Sequence, residues 1–272
     1  YLKQKTVQPL PAPVRQDISK NIRAMIAHKL GGVVVFGTDN ILIAYFVGAV
    51  SVGLYSNYLL ITQSLKSAYS MIFRAMTASI GNLCAAEDTT HAQSVFWRVD
   101  LLTRWLYGFS AVCLVVLLNP FISLWLGADY LFPMPIVLLV VSSFYVTGMR
   151  QSVLTFREAM GLYWYDRHKP LFESAINLAV SILLAKPFGI VGIFIGTVVS
   201  TLSTCTWVEP YILFRHGFGA PVGKYFARYA LNVLLTTAAG IATWYVCALL
   251  PAAGFWPFVA KVLLCCVLPN LF

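Results

Sequence analysis

Four cations lie within stretches of the sequence that are otherwise apolar: Lys66, Arg74, Arg150 and Arg157. A guanidinium group binds phosphate through paired hydrogen bonds, and a lysine ammonium group binds it as a compact positive charge. Side chains of these types, lining one cavity, are what recognition of a phosphate or pyrophosphate group requires. The residue types therefore predict a cavity that binds an anionic group.

The spacing of neighbouring polar residues places these cations on helix faces. Over 51–82, polar and small residues recur at intervals of three, four and seven, as on one face of a helix: Ser56, Gln63, Ser67, Ser70, Arg74, Thr77 and Gly81. Lys66 lies one turn from Ser70. Arg150 and Arg157 are seven residues apart and differ by only about 20° around a helix axis. Each of two helices is thus predicted to present a pair of cations.

Different interpretations stay open for the charged residues. A charge at the centre of a bilayer costs about 2.5–3.5 kcal/mol, so it must face a cavity, a partner or an interface. Arg74 and Arg157 lie either in the cavity or at the membrane interface, where they would be anchors. Lys66 and Arg150 are deeper in their helices, and this depth favours a position in the cavity. Three acidic residues also lie in apolar segments: Asp39, Glu173 and Glu209. They are either counter-ions that hold helices together or groups that take part in coupling transport to an energy source.

The segments that carry these residues have the composition of membrane helices. Of the 272 residues, 59% are hydrophobic and 11% are charged, and the mean hydropathy is +0.77. These values lie far outside the range of a soluble domain. Eight apolar stretches approach the roughly 20 residues of a spanning helix: 20–46, 51–82, 96–118, 133–158, 168–186, 190–214, 226–249 and 254–272. We predict an all-α, polytopic membrane protein with about eight transmembrane helices.

Basic residues predict how these helices are oriented. Thirteen lysines and arginines of the tail, the loops and the adjoining helix ends, including Arg104 and Lys169, fall on one predicted face, whereas the opposite face carries only Lys186. By the positive-inside rule the basic face and both ends of the chain are cytoplasmic. The net charge of +9 is then a topology signal and implies no nucleic-acid partner.

No pattern in the sequence indicates an enzyme or a metal site. The six cysteines lie in or beside apolar stretches without C-x-x-C spacing, so we predict small hydrophobic fillers. The four histidines have no partner spacing, and there is no phosphate-cradling glycine loop or nucleophile motif. We predict no catalytic residue, no metal and no cofactor.

A stripe of small residues predicts close contact between two helices. Gly189, Gly192 and Gly196 recur at intervals of three and four within an apolar stretch. Such stripes let helix backbones approach each other in a membrane. We therefore assign these glycines to helix packing rather than to a binding site.

Several short segments resemble one family of membrane proteins. They are Gly-Thr-Asp-Asn-Ile-Leu-Ile at 37–43, Ser-Val-Gly-Leu-Tyr-Ser-Asn-Tyr at 51–58, and further runs at 77–82, 118–127, 147–152, 189–197 and 207–211. Together they span nearly the whole chain. The pattern is similar to the C-terminal lobe of bacterial polysaccharide flippases, which belong to the multidrug/oligosaccharidyl-lipid/polysaccharide exporter superfamily. It includes no catalytic signature.

This resemblance implies a fold and a substrate. The family fold has two six-helix lobes and two further helices around a central cationic cavity with alternating access. The chain begins with Tyr1 and ends in an apolar run, so we expect a fragment: a cytoplasmic linker at 1–19, the second lobe at 20–214 and two additional helices at 215–272. The N-terminal lobe of the same protein would be its partner, together with membrane lipids and the polysaccharide polymerase machinery.

The implied activity is flipping of polyprenyl-pyrophosphate-linked oligosaccharide repeat units across the bacterial inner membrane, for O-antigen, capsule or exopolysaccharide. Lys66, Arg74 and Arg150, with Arg157, would capture the pyrophosphate. Polar residues such as Asp39, Asn40 and Gln63 would contact sugar, or else make hydrogen bonds between helices. Two alternatives are a cation-coupled drug exporter of the same superfamily and a membrane glycan polymerase. The exporter would need an acidic cavity, and the polymerase a sizeable catalytic loop.

Overall fold

The computed structural model describes residues 11–86, 89–251 and 254–271, and it contains no strand among them. Ten α-helices follow one another along these residues: α1 Ala12–Phe46, α2 Ala49–Ala86, α3 Thr89–Trp125, α4 Met134–Gly148, α5 Gln151–Ala159, α6 Lys169–Phe188, α7 Ile190–Ser200, α8 Thr206–Ile212, α9 Gly223–Ala248 and α10 Phe255–Val267. Two π-helical segments, Thr201–Cys205 and Leu213–Phe218, join α7 to α8 and extend α8. The all-α class predicted from the sequence is confirmed for this part of the chain.

Six segments of the described chain are long and apolar enough to cross a membrane: Ala12–Phe46, Thr89–Trp125, Met134–Ala159, Lys169–Phe188, Ile190–Phe218 and Gly223–Ala248. By the length and composition of its helices the chain is a multi-pass membrane protein. Two of the eight stretches that were predicted to span the membrane are not among these six segments. The 38 residues of α2 include a polar face that lowers its hydropathy, and Phe255–Leu271 is apolar but shorter than a span.

The first helix begins earlier than predicted. α1 starts at Ala12, inside the segment 1–19 that was predicted as a linker, and residues 1–10 lie outside the described part. Pro11 and Pro13 lie in this segment, and prolines often indicate irregular structure. Pro13 instead occupies the first turn of α1, where its missing N–H needs no intrahelical partner.

The predicted stretch 133–158 consists of two helices rather than one. α4 ends at Gly148 and α5 starts at Gln151, so that Met149 and Arg150 form the turn between them. Arg150 is therefore at the junction of two helices, and Arg157 is in the last turn of α5. The two arginines do not share an uninterrupted helical stripe, although both point into the same site.

α3 is the central helix of the bundle, with contacts to α2, α4, α5, α9 and α10. Its fully buried Phe96 meets the rings of Phe156, Phe214, Phe218 and Tyr225 at centroid distances of 5.3 to 6.3 Å. The helices at 215–272 thus share the packing of the preceding helices, because α9 and α10 both lie against α3.

Contacts between helix ends define two faces of the bundle. On the first face, Lys224 lies 5.6 Å from the ring of Trp97, and Lys20 lies 5.9 Å from that of Trp164. On the second face, Phe121 near the end of α3 packs against Phe258 near the start of α10, with the ring centroids 6.2 Å apart. The connection between α5 and α6 belongs to the first face.

Candidate functional site

Glu209 is the centre of a buried group of charges near the first face. Its side chain in α8 is fully buried. Arg150 donates from Nε to Oε2 at 2.8 Å and from Nη2 to Oε1 at 2.6 Å, and Lys169 Nζ donates to the same Oε1. Glu209 therefore ties the starts of α5 and α6 to α8.

Arg157 extends this group towards α1. Its Nη1 donates to Oδ2 of Asp166 and lies 3.6 Å from Oε1 of Glu209. The other Asp166 oxygen is 2.9 Å from Nε2 of His28. Tyr163 lies beside both, 5.4 Å from the Arg157 guanidinium and 5.8 Å from the His28 ring. Burial raises the pKa of Tyr163 to about 12, so its phenol stays protonated at physiological pH.

The ion-pair cluster, as we call it, comprises His28, Arg150, Arg157, Asp166, Lys169, Glu173 and Glu209. Glu173 joins it through Lys169, with the two charged atoms 3.6 Å apart. Three permanent cations thus face three carboxylates, and such pairing is what makes buried charges tolerable. One donor is left over, because Nε of Arg157 is buried without a hydrogen-bond partner among the described residues. The three cations and the three carboxylates of the cluster are thus equal in number, and one N–H group of Arg157 has no acceptor in the described part of the chain.

A cavity of about 280 Å³ lies beside the ion-pair cluster. Its walls come from α1, α4, α5, α6, α7, α8 and the π segment: His28, Gly32, Thr147, Arg150, Leu154, Arg157, Lys169, Pro170, Glu173, Thr197, Thr201 and Glu209. Cations, carboxylates and hydroxyls therefore share one enclosed space. Such a space suits an anionic group that competes with the internal carboxylates. No group of three or more His, Cys, Asp or Glu within the described ranges is arranged to hold a metal ion.

The other cations predicted for the cavity are found in two places. Lys66 is close to the site: its Nζ is 5.8 Å from the centroid of Phe144, and it experiences the positive charge of Arg150. Arg74 and Gln63 are instead exposed on α2, outside the ion-pair cluster. Most of the polar face of α2 is thus exposed, although Gly81 near its end approaches Ala159 of α5 and Lys66 is turned towards Phe144 of α4.

Asp39 and Asn40 form a second polar group, between α1, α6 and α7. Asp39 is buried and accepts a hydrogen bond from Thr197 Oγ1 at 2.9 Å, and that hydroxyl is 3.1 Å from Nδ2 of Asn177. One carboxylate oxygen of Asp39 and the amide oxygen of Asn40 are buried without a partner in the described structure. Thr197 also lines the 280 Å³ cavity, so this polar group adjoins the ion-pair cluster.

The predicted glycine stripe lies between α6 and α7. A Cβ on Gly192 would be 2.1 Å from the carbonyl oxygen of Leu184, and one on Gly196 would be 2.1 Å from Oγ of Ser181. These two positions allow the backbones to touch. Gly189 differs, because it is the turn residue between the helices, with φ of +58°. Its role there is conformational, since L side chains rarely adopt this region.

Two residues counted in the sequence as basic charges of helix ends and loops are buried instead. Lys169 is 7% exposed and bound to Glu209, and Arg104 is 4% exposed and bound to Asp100 with Nε and Oδ2 2.6 Å apart. The prediction relied on nearness to a helix end, which does not reveal whether a neighbouring element covers the residue. Lys169 therefore belongs to the ion-pair cluster and is not an exposed charge of a helix end.

Sequence reasoning did not identify three further residues: His28, Asp166 and Lys261. His28 and Asp166 are 138 positions apart, and no spacing rule connects them. Lys261 could have been found, because it is a charge within an apolar run, Phe-Val-Ala-Lys-Val-Leu-Leu. In the structure it is buried in α10, near the second face and away from the ion-pair cluster.

No protein-family model, curated protein or solved structure matches this chain. The geometry of the ion-pair cluster and its cavity is therefore the main physical guide to function.

Proposed function

We propose that this protein moves polyprenyl-pyrophosphate-linked oligosaccharide repeat units across the bacterial inner membrane for surface polysaccharide synthesis. The observation that carries the proposal is the position of Arg150, Arg157 and Lys169 around one cavity among membrane-spanning helices. A pyrophosphate needs several cationic donors converging on one point, and arginine supplies paired hydrogen bonds to its oxygens.

Glu209 would act as an internal substitute for the substrate's charge. In the structure its carboxylate accepts the paired hydrogen bonds of Arg150 and a hydrogen bond from the ammonium group of Lys169. Without that carboxylate three cations would be buried side by side at a high electrostatic cost. An arriving pyrophosphate would displace Glu209 from Arg150, and the buried, unpartnered Nε of Arg157 would then supply one further N–H to it. Release of the substrate would let Glu209 return.

Lys66 would extend this site towards α2. It experiences the positive charge of Arg150 and has no carboxylate partner within the described ranges, so an anion between the two would relieve their repulsion. The exposed polar face of α2, with Gln63 and Arg74, would line the rest of the substrate path. Asp39 and Asn40 would lie at its edge, towards α6 and α7.

The proposed architecture places this site between two lobes. About eight spans, with α2 and Phe255–Leu271 added to the six apolar segments, would form the second lobe and two further helices. A first lobe of the same protein would close the cavity, and rocking of the lobes would open it to either side while the polyprenyl tail stays in lipid. Both ends of the chain would be cytoplasmic, and the polysaccharide polymerase machinery would receive the product.

Complementation of a bacterial strain that lacks its own flippase tests the proposal. The full-length protein is expressed as wild type and with Arg150→Ala or Lys66→Ala, at matched membrane abundance. We expect wild type to restore surface polysaccharide and both variants to lose most of it, with lipid-linked repeat units accumulating inside. Lys186→Ala, at an exposed lysine outside the cluster, is the matched control and should behave as wild type.

A double variant separates substrate binding from structural support. If Arg150 only stabilises the fold by neutralising Glu209, then Arg150→Gln combined with Glu209→Gln should recover transport, because no uncompensated carboxylate remains and Lys169 keeps Glu173 as its partner. If Arg150 binds the pyrophosphate, the double variant stays inactive although it is folded and abundant. Recovery of transport by the double variant would overturn the proposed role of Arg150.

A cation-coupled drug exporter is the second candidate, and one observation favours it. Asp39 is buried between membrane helices with one carboxylate oxygen unpartnered, as expected of a group that binds a proton or a cationic substrate. Efflux of a cationic dye that is lost on Asp39→Asn and unaffected by Lys66→Ala would support this candidate over the flippase.

A further inference from the structure

Two cavities on the side of the bundle formed by α3, α4 and α9 adjoin each other. The larger has a volume of about 760 Å³ and the smaller about 400 Å³. Val115, Met134 and Trp244 line both of them, so the two spaces share walls and form one groove. The larger space is within the range of about 300–1,000 Å³ that encloses ordinary organic ligands. None of the residues of the ion-pair cluster lines either space.

The larger cavity is apolar. Its walls include Val112, Leu138, Val141, Leu202, Val233 and Ile241. Tyr145 and Thr236 bring hydroxyls to it, but these two groups bond to each other at 3.3 Å. The space therefore presents no charge, and a hydrocarbon chain complements it better than water or a polar solute does.

The smaller cavity has one cationic wall residue, Lys261, which is only 7% exposed. Other buried cations of the described chain have carboxylate partners: Arg104 with Asp100, Arg157 with Asp166, and Lys169 with Glu209. No carboxylate pairs with Lys261 in the ranges that the structure describes. Because Lys261 lines this cavity and has no carboxylate partner among the described residues, its ammonium group is placed to pair with an anion from outside the chain.

The depth of Lys261 matches the headgroup region of a bilayer. It is six residues after the start of α10, which corresponds to about 9 Å along the helix axis. The exposed side chains of Trp244, Phe255 and Trp256 surround this end of the bundle, as aromatic residues do at a membrane interface. A lysine at this depth reaches the phosphate level of the lipids by extending its side chain.

We propose that this groove binds an anionic phospholipid of the surrounding bilayer. The phosphate would pair with Nζ of Lys261, with the hydroxyl of Ser123 beside it in the same cavity, and one acyl chain would occupy the larger, apolar space. A free anion would use only the smaller cavity, whereas a lipid fills both. The proposal is independent of the flippase activity, because no residue that lines the groove also lines the cavity beside the ion-pair cluster.

Native mass spectrometry of the purified full-length protein tests this site with dioleoyl phosphatidylglycerol as the probe and dioleoyl phosphatidylcholine as the reference lipid. We expect phosphatidylglycerol to be retained preferentially. Lys261→Met keeps the apolar stem of the side chain and removes its charge, and it should weaken retention about five-fold, the contribution of one lysine to anionic-lipid binding. Lys261→Arg should retain the lipid, and so should the control Lys186→Met, at an exposed lysine.

A second variant tests the apolar part of the groove without touching the charge. Gly240 lines the larger cavity, and Gly240→Phe would place a ring where the acyl chain is expected. Loss of phosphatidylglycerol in both Lys261→Met and Gly240→Phe, with unchanged elution in gel filtration, supports the proposal. Wild-type retention in either variant overturns it. Stronger retention of polyprenyl phosphate than of phosphatidylglycerol also overturns it, since the groove would then take the tail of a polyprenyl substrate.

Discussion

The guanidinium group of Arg150 is bound to both carboxylate oxygens of Glu209, with distances of 2.8 Å from Nε and 2.6 Å from Nη2. The two residues are 59 positions apart and belong to different helical segments. Paired hydrogen bonds of this type fix orientation as well as distance. Arg150, at the junction of α4 and α5, is thereby held against α8.

Replacing Glu209 with glutamine should strongly destabilise the fold. The change leaves Arg150 buried without a carboxylate partner and Lys169 with only Glu173, and removal of one partner from a buried ion pair costs about 3–5 kcal/mol. Denaturation of the detergent-solubilised protein by increasing amounts of SDS would measure the effect. Glu158→Gln, at an exposed glutamate of α5, should leave the midpoint unchanged. Equal midpoints for both variants would contradict a structural role for Glu209.

Adding one methyl group at Gly196 should separate α6 from α7. The new Cβ would lie 2.1 Å from Ser181 Oγ and 2.8 Å from its backbone nitrogen, so the helices must move apart. We expect Gly196→Ala to lower the free energy of unfolding by about 1–3 kcal/mol, as overpacking of a core does. Thermal unfolding of the protein in detergent would measure this loss of stability. Gly53→Ala, where nothing lies within 4 Å of the added atom, should be neutral or slightly stabilising; a neutral Gly196→Ala would speak against this helix contact.

Tyr58 joins α2 to the end of α3 and the connection that follows it. Its hydroxyl donates to Oδ1 of Asn119 at 2.6 Å and accepts from the backbone N–H of Phe132 at 2.8 Å. Tyr58→Phe should cost about 1–3 kcal/mol, because it leaves a buried N–H and a side-chain oxygen unsatisfied. Chemical denaturation of this variant is compared with Tyr45→Phe, at a tyrosine that is 81% exposed. Tyr58→Phe should lower the free energy of unfolding and Tyr45→Phe should not. Equal stability of the two variants would show that water replaces the hydroxyl of Tyr58.

Three cysteines predicted to be fillers meet where α3, α9 and α10 pack together. Cys113 Sγ lies 3.7 Å from the carbonyl oxygen of Cys265, and Cys247 also neighbours Cys265. Copper-phenanthroline oxidation in membranes should pair Cys265 with Cys113 or Cys247, as peptide mapping by mass spectrometry would reveal. Cys265→Ser should abolish the cross-link and Cys266→Ser, at an exposed cysteine, should retain it. A cross-link from Cys266 to Cys113 or Cys247 in the Cys265→Ser variant would place α10 differently.

Several features of the fold could be predicted because they depend on local sequence. Helix class follows from runs of apolar residues, and the limits of α6 at Lys169 and Phe188 agree closely with the predicted stretch 168–186. Other limits could not be predicted. Pro13 extends α1 instead of ending it, and the turn at Met149–Arg150, which follows Gly148, divides a stretch that hydropathy predicts as one helix. Packing against neighbouring helices decides such cases, since it outweighs local preference.

The sequence by itself determined that this chain is helical, that its helices are apolar enough for a bilayer and that charges lie within them, because composition and periodicity act over a few residues. Only the tertiary structure decided which charges meet. Glu209 finds Lys169 across 40 positions and His28 finds Asp166 across 138, while Lys261 is left without a carboxylate among the described residues. Such pairings depend on how whole helices are placed against each other, and no local pattern records that placement.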